Sequence, residues 1–384
     1  MQHEKSKIIP IALLFSVGSV LFSAHAGGGF ATGNQENTYY VGLGWLAPFA
    51  VILATLLMSL TMREAMFLYN SRGYKNHREL FESLFQPFPK LELLFEVFFY
   101  IMVIMAVAAS VSGAASALNS YFGVNYYATV LAVGFTVLVL TIFGAGLIRT
   151  ASTYFSIAIL VSSIAIFVVG LFKGLPLGGI LSANFAETGF TNVFTAIKQS
   201  FVYAGFQCVT LPTMLACGVP LYTKKSCNGA MNFAFIMNAL ALALAVLMLI
   251  SWQHFYTAVE GGTILPTLTV CREMGMPWLL ILYGISLIIC LVSTGVTTTF
   301  GFVSRFEKMP ALQKIQSPVL RGAVIAAFIL ILSMTVSMAG LTNIVKYGYG
   351  YCGYLGIVVV IIPMLTIGVY RNRKFIKENP AARG

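Results

Sequence analysis

Ten apolar runs, separated by short segments that hold most of the charge, occupy nearly the whole of this 384-residue chain. They lie at about 8–38, 43–68, 90–118, 126–143, 150–172, 191–217, 227–253, 277–304, 319–339 and 341–370. A helix that crosses a bilayer needs about 20 apolar residues, so each run is long enough or nearly so. Only 9% of residues are charged, against about 25% in an average soluble chain. Strand-like alternation is absent, which argues against a β-barrel. The fold class these runs predict is an all-α polytopic membrane protein with ten transmembrane helices and the lipid bilayer as its surroundings.

Lysine and arginine test the count. With the first end inside, the alternation puts all of the 23 basic residues on one side except Lys173, Lys198, Arg272 and Lys346. That asymmetry is the positive-inside pattern, and it places both termini in the cytoplasm and the protein in the inner (cell) membrane. It also accounts for the net charge of +11 without a nucleic-acid partner; no aromatic-interleaved basic patch is present. Trp45, Trp252 and Trp278 fall near predicted outer helix ends. Ala24-His25-Ala26 has the small-residue spacing of a signal cleavage site, but the polar interruptions Ser16, Gly18 and Ser19 favour an intact first segment.

Two of the runs carry glycine in their middle. The first holds Gly27-Gly28-Gly29-Phe30, then Gly33; each glycine costs a helix about 1 kcal/mol relative to alanine. An unwound turn is tolerated in lipid only where it is buried in protein or lines a cavity, while close packing through small residues is the other reading. The sixth holds Tyr203-Ala204-Gly205-Phe206-Gln207, followed by Pro212. The two stretches lie five helices apart and so run in opposite directions. This predicts a five-plus-five inverted repeat, residues 1–180 and 181–384, with helices one and six broken near the midplane. Backbone at 26–30 and 203–207 is then expected to bind a small-molecule substrate, from Ala26, Gly27, Gly28, Gly29 and Phe30 on one side and Tyr203, Ala204, Gly205, Phe206 and Gln207 on the other. No buried acid is an obvious partner for a basic solute. An amino acid or a related neutral or acidic compound fits better.

Ten helices with glycine breaks in the first and sixth resemble the amino acid–polyamine–organocation (APC) superfamily, which implies a LeuT-like fold and a symporter or related carrier. More narrowly, Gly28-Gly29-Phe30-Ala31-Thr32-Gly33-Asn34-Gln35-Glu36 resembles the start of the YkvI-like membrane proteins, with Thr32 for a serine and Asn34 inserted. In sodium-coupled members of the superfamily an ion sits between the broken first helix and hydroxyls on the inner part of helix eight. The resemblance implies Ser293, Thr294, Thr297 and Thr298 as that coupling-ion site, with sodium the only ion required and no cofactor. The competing expectation is proton coupling through His25, which can titrate near neutrality; packing of the hydroxyls and a simply hydrogen-bonded histidine are the structural alternatives.

Other functions fit poorly. All twelve acidic residues are glutamate, so no Ser/His/Asp set exists, and the four histidines His3, His25, His77 and His254 lie on different segments. The chain therefore reads as a carrier and not an enzyme. A channel needs a continuous polar path, which paired broken helices do not suggest. The six cysteines read as small packing residues. Glu36 is expected toward the outer end of the first helix as a gate or solvated group, Arg63-Glu64 in the first inner loop region, and a short outer helix after Pro266.

Overall fold

A computed structural model of the protein describes residues 9–25, 28–144, 161–307 and 309–384, and among these the regular structure is helical throughout. The first segment is divided into α1 (Ile11–His25), α2 (Gly28–Thr32) and α3 (Asn34–Tyr39). Next come α4 (Ala47–Ser71), a short surface helix α5 (His77–Leu84), α6 (Glu92–Phe122), α7 (Tyr126–Val139) and α8 (Val161–Lys173). The second half holds α9 (Leu177–Thr188), α10 (Val193–Gln207), α11 (Leu211–Cys217), α12 (Lys224–Tyr256), α13 (Pro266–Glu273), α14 (Pro277–Phe306) and α15 (Pro318–Ser337). The last helix, α16, runs 38 residues from Leu341 to Glu378.

Among the described residues eight helices are long and apolar enough to cross a membrane, and they match the predicted segments two, three, four, six, seven, eight, nine and ten. Most of segment five lies outside the described residues. Its described end, α8, meets α9 at a bend of 77°. Pro176 explains the bend: it has no N–H to continue the ladder, and α9 starts directly after it. The predicted outer helix after Pro266 is α13. Within it, burial pushes the Cys271 thiol up to about 12, so it stays protonated as a packing group.

Two groups of helices form. α1, α4, α10 and α12 pack on one another, and α6, α7, α14 and α15 do the same. α16 closes against α10 through backbone contact: a Cβ on Gly205 would run into the carbonyl of Gly353, and one on Gly356 into the carbonyl of Gly205. Small residues at a membrane helix crossing give this close approach.

In the first segment the described residues show an interruption within the glycine-containing stretch, whereas in the sixth the break sits beyond the glycine. In the first segment Gly28 and Gly29 are already helical, and the described interruption is at Gly33, whose φ of 79° is left-handed. A side chain there would also meet Thr267 and Pro266. Ala26 and Gly27 lie outside the described residues. In the sixth segment the expectation of unwinding at 203–207 is corrected: α10 is regular through Gln207, and the chain tightens to a 3₁₀ turn only at Cys208–Thr210. The cause is Pro212, which cannot donate to the Cys208 carbonyl one turn back and would clash with it. The Cys208 carbonyl accepts instead from the Leu211 amide, and Thr210 Oγ1 donates to the Gln207 carbonyl at 2.8 Å.

Candidate binding cavity

A cavity of about 740 Å³ lies between the two helix groups. His25, Gly29 and Gln35 line it from the interrupted first segment, Phe206 and Gln207 from the end of α10, and Thr210 and Pro212 from the turn beyond. Ser293, Thr294, Thr297 and Thr298 line it from α14, and Phe99, Met102 and Ser110 from α6. The cavity reaches His77 and Arg305, on the face where the basic residues concentrate. A second cavity, of about 640 Å³, lies near Glu260 and Arg272 and contains none of the predicted site residues.

The hydroxyls on α14 have a consistent orientation. Ser293 and Thr294 donate to the Cys290 carbonyl at 3.0 and 2.8 Å, and Thr297 donates to that of Ser293 at 2.9 Å. Each hydroxyl has one proton and two lone pairs. With the protons spent on the helix, these oxygens can act toward the cavity only as acceptors, which suits a cation. The carbonyls of Gly29, Phe30 and Ala31 already accept from Thr32, the Gly33 amide and Tyr283 respectively.

At the inner wall a buried polar chain ties three segments together. Asn238 Nδ2 donates to the Ala234 carbonyl at 2.7 Å, which turns its Oδ1 toward His25 Nδ1, 2.6 Å away. His25 Nδ1 therefore bears the hydrogen. His25 Nε2 meets the Tyr203 hydroxyl at 2.6 Å, and the same hydroxyl lies 3.3 Å from Gln35 Oε1. Tyr203 has one hydrogen for two acceptors. A neutral imidazole takes it; a protonated one returns it to Gln35.

Not every predicted residue faces the cavity. Phe30 is buried against His25 and Phe167, and Tyr203 sits in a cluster of rings with Tyr39, Tyr40 and Phe206. Ala204 is buried. Gly205 serves the crossing with α16. Asn238 and Tyr349 were missed. Asn238 is an isolated amide in the middle of an apolar run, a signal available in the sequence; Tyr349 had none, being one of several tyrosines along α16.

The two ends of the cavity differ. Toward the end away from the basic face the ring cluster closes it, and Asn34 Nδ2 fastens the first segment to the carbonyls of Thr263 and Ile264 at 3.2 and 2.9 Å. Toward the basic face Arg305 Nη2 donates to both oxygens of Glu96, and its Nε donates to the Tyr100 hydroxyl at 2.7 Å. Tyr100 is thus a partner of Arg305 at the mouth.

No protein-family model and no curated protein sequence matches the chain. Solved structures do. A structure of MhsT in complex with L-phenylalanine superposes with a TM-score of 0.59 at 14% identity, covering 92% of this chain and 88% of that one. The Eremococcus coleocola manganese transporter, bound to an aromatic bis-isothiourea compound, gives 0.55 at 14% identity over 94% and 89%. A Na⁺-coupled sialic acid symporter, substrate-bound and outward-open, gives 0.51 at 12% identity over 94% and 98%. At these identities the likeness is one of architecture, and the architecture is the LeuT-like helical fold that the family resemblance implies.

Proposed function

We propose that the chain is a secondary active transporter, a sodium-coupled symporter of a small organic solute that works by alternating access. The observation that carries this is the cavity itself: one space brings together the interrupted first segment, the end of α10 and the hydroxyl residues Ser293, Thr294, Thr297 and Thr298 of α14. The similar structures support the reading, since one holds an amino acid and one is a Na⁺-coupled symporter. A manganese cargo fits less well, because the described residues hold no group of three His, Cys, Asp or Glu able to bind a metal.

The substrate is proposed to be an amino acid or a related acid. No carboxylate lines the cavity among the described residues, and Arg305 at its mouth is already paired with Glu96, so the preference rests on the acid-free lining. The basic face is taken as cytoplasmic, so the outer closure and the inward reach of the cavity describe an inward-directed state. The pairing of helices supports residues 1–180 and 181–384 as inverted repeats. α1 packs on α12 as α10 packs on α4, and α6 on α15 as α14 on α7; advancing each helix by five maps one pair onto the other. The motif at 28–36 supports placement among YkvI-like proteins of the APC superfamily.

A thermal-shift screen of the purified protein against amino acids and organic acids, in sodium and in potassium, tests the reading. A ligand at a hundred times its Kd stabilises by about 2.7 kcal/mol; the shift should require sodium and disappear in Thr298→Ala. A sodium-dependent shift that survives Thr298→Ala moves the ion site elsewhere.

One observation favours a second reading. The His25–Tyr203–Gln35 chain gives a buried imidazole a defined response to a proton, as a proton-coupled carrier needs. His25→Gln should then remove a pH-dependent transport step and leave sodium dependence intact.

A further inference from the structure

Glu36 on α3 is neither solvated nor paired. It is fully buried, and both its carboxylate oxygens lack a hydrogen-bond partner among the described residues. The Tyr40 hydroxyl and Thr267 Oγ1 are also buried without a partner. The hydroxyls of Tyr40, Tyr203 and Tyr283 lie within electrostatic range of the carboxyl. The elements packed against α3 bring hydroxyls and a thiol but no buried base: Tyr256 on α12, which donates to Asn37 at 2.7 Å, Cys271 on α13, and Tyr39 and Tyr349. His25 is bonded to Asn238 and Tyr203; of the cations on those elements Lys198, Lys225, Arg272 and Lys346 are exposed, as are Glu273 and His254, while Lys224 pairs with Glu64 at the start of α12 and Arg371, Arg373, Lys374 and Lys377 lie at the far end of α16.

A bare carboxylate in such a place is heavily penalised, because it is buried and no basic side chain among the described residues pairs with it. Ionisable groups kept inside a membrane protein usually serve ion or proton movement. Glu36 also lies directly under the outer closure. Its neighbour Asn34 bonds the loop before α13, and Gly33 abuts Thr267.

We propose that Glu36 is a proton-binding site: its carboxyl holds a proton while the outer closure is shut, and gives it to outside water when the closure lifts. The O–H bond breaks heterolytically, the proton goes to water, and the remaining carboxylate is hydrated by the water that enters. The lifting step rests on the carrier reading; protonation in the closed state does not, so the test reads protonation directly.

Difference infrared spectra of purified wild type and Glu36→Gln at neutral pH, in sodium and in choline, carry the test. The expected result is a protonated-acid carbonyl band in the wild type, missing from Glu36→Gln, present in both salts and shifted after incubation in D₂O. Three results overturn the proposal: no difference between the proteins, a band seen only without sodium, or a band that never shifts in D₂O. Failure of Glu36→Gln to fold also counts against it, since glutamine keeps the shape and neutrality of the protonated acid. A protein that transports nothing in the screen above can still show the band, so the two failures are separable.

Discussion

Replacing Glu64 by alanine is expected to destabilise the protein by about 3 kcal/mol, the lower end of the range for removing one partner of a buried ion pair. Glu64 lies on α4, with its side chain 2% exposed. It accepts from Lys224 at the start of α12 and from Arg63 at 2.7 Å. Asn372 of α16 donates to its Oε2 at 2.8 Å and to its backbone carbonyl at 3.1 Å. Three helices therefore meet on one carboxylate. Its loss leaves Lys224, only 19% exposed, without a counter-charge. Residual water around Lys224 keeps the effect at the lower end. Glu64→Gln retains a neutral acceptor for Asn372 and should lose less than alanine. Thermal unfolding in detergent measures both; equal melting temperatures for wild type and Glu64→Ala contradict the account.

Valine at Gly205 should be at least as damaging, because the obstruction is backbone and not a movable side chain. Gly353 faces Val202, and Gly356 faces Gly205, each through a carbonyl that a Cβ would overlap. Overpacking a core costs about 1–3 kcal/mol, occasionally more, and two helices pushed apart along their axis cannot relax by a rotamer change. The wedge also displaces Phe206 and Gln207 from the cavity wall, so ligand binding should weaken beyond the loss of stability. Gly178→Val is the control: a Cβ on Gly178 would meet nothing within 4 Å. Indistinguishable melting temperatures for Gly205→Val and Gly178→Val would mean that the crossing is not close.

Hydropathy made the membrane helices legible, since a bilayer imposes a length and a composition on each crossing. The α14 hydroxyls were reached through the family resemblance, and they do line the cavity. The details of the breaks were not legible. Gly205 reads in sequence like a helix breaker, yet a glycine also permits backbone contact, and only the neighbouring Gly353 and Gly356 decide between the two. The unwinding follows Pro212, one turn further on, where a missing amide forces it. Glu36 was misplaced for a related reason. Its position along the chain puts it near the outer surface, but the loop folded back through α13 covers it, and that contact spans more than 200 residues. Long-range closure of this kind leaves no local pattern. The Glu64 network was hidden likewise, as its partners Lys224 and Asn372 come from distant helices.

A symporter of the proposed kind binds solute and sodium in one cavity that is exposed to one side at a time. Reconstituted proteoliposomes, given the ligand that the thermal-shift screen selects, measure this most directly. The account predicts accumulation that saturates with ligand, needs an inward sodium gradient and is lost in Thr298→Ala. Flux that rises linearly with concentration and ignores the sodium gradient would contradict it and describe an open pore.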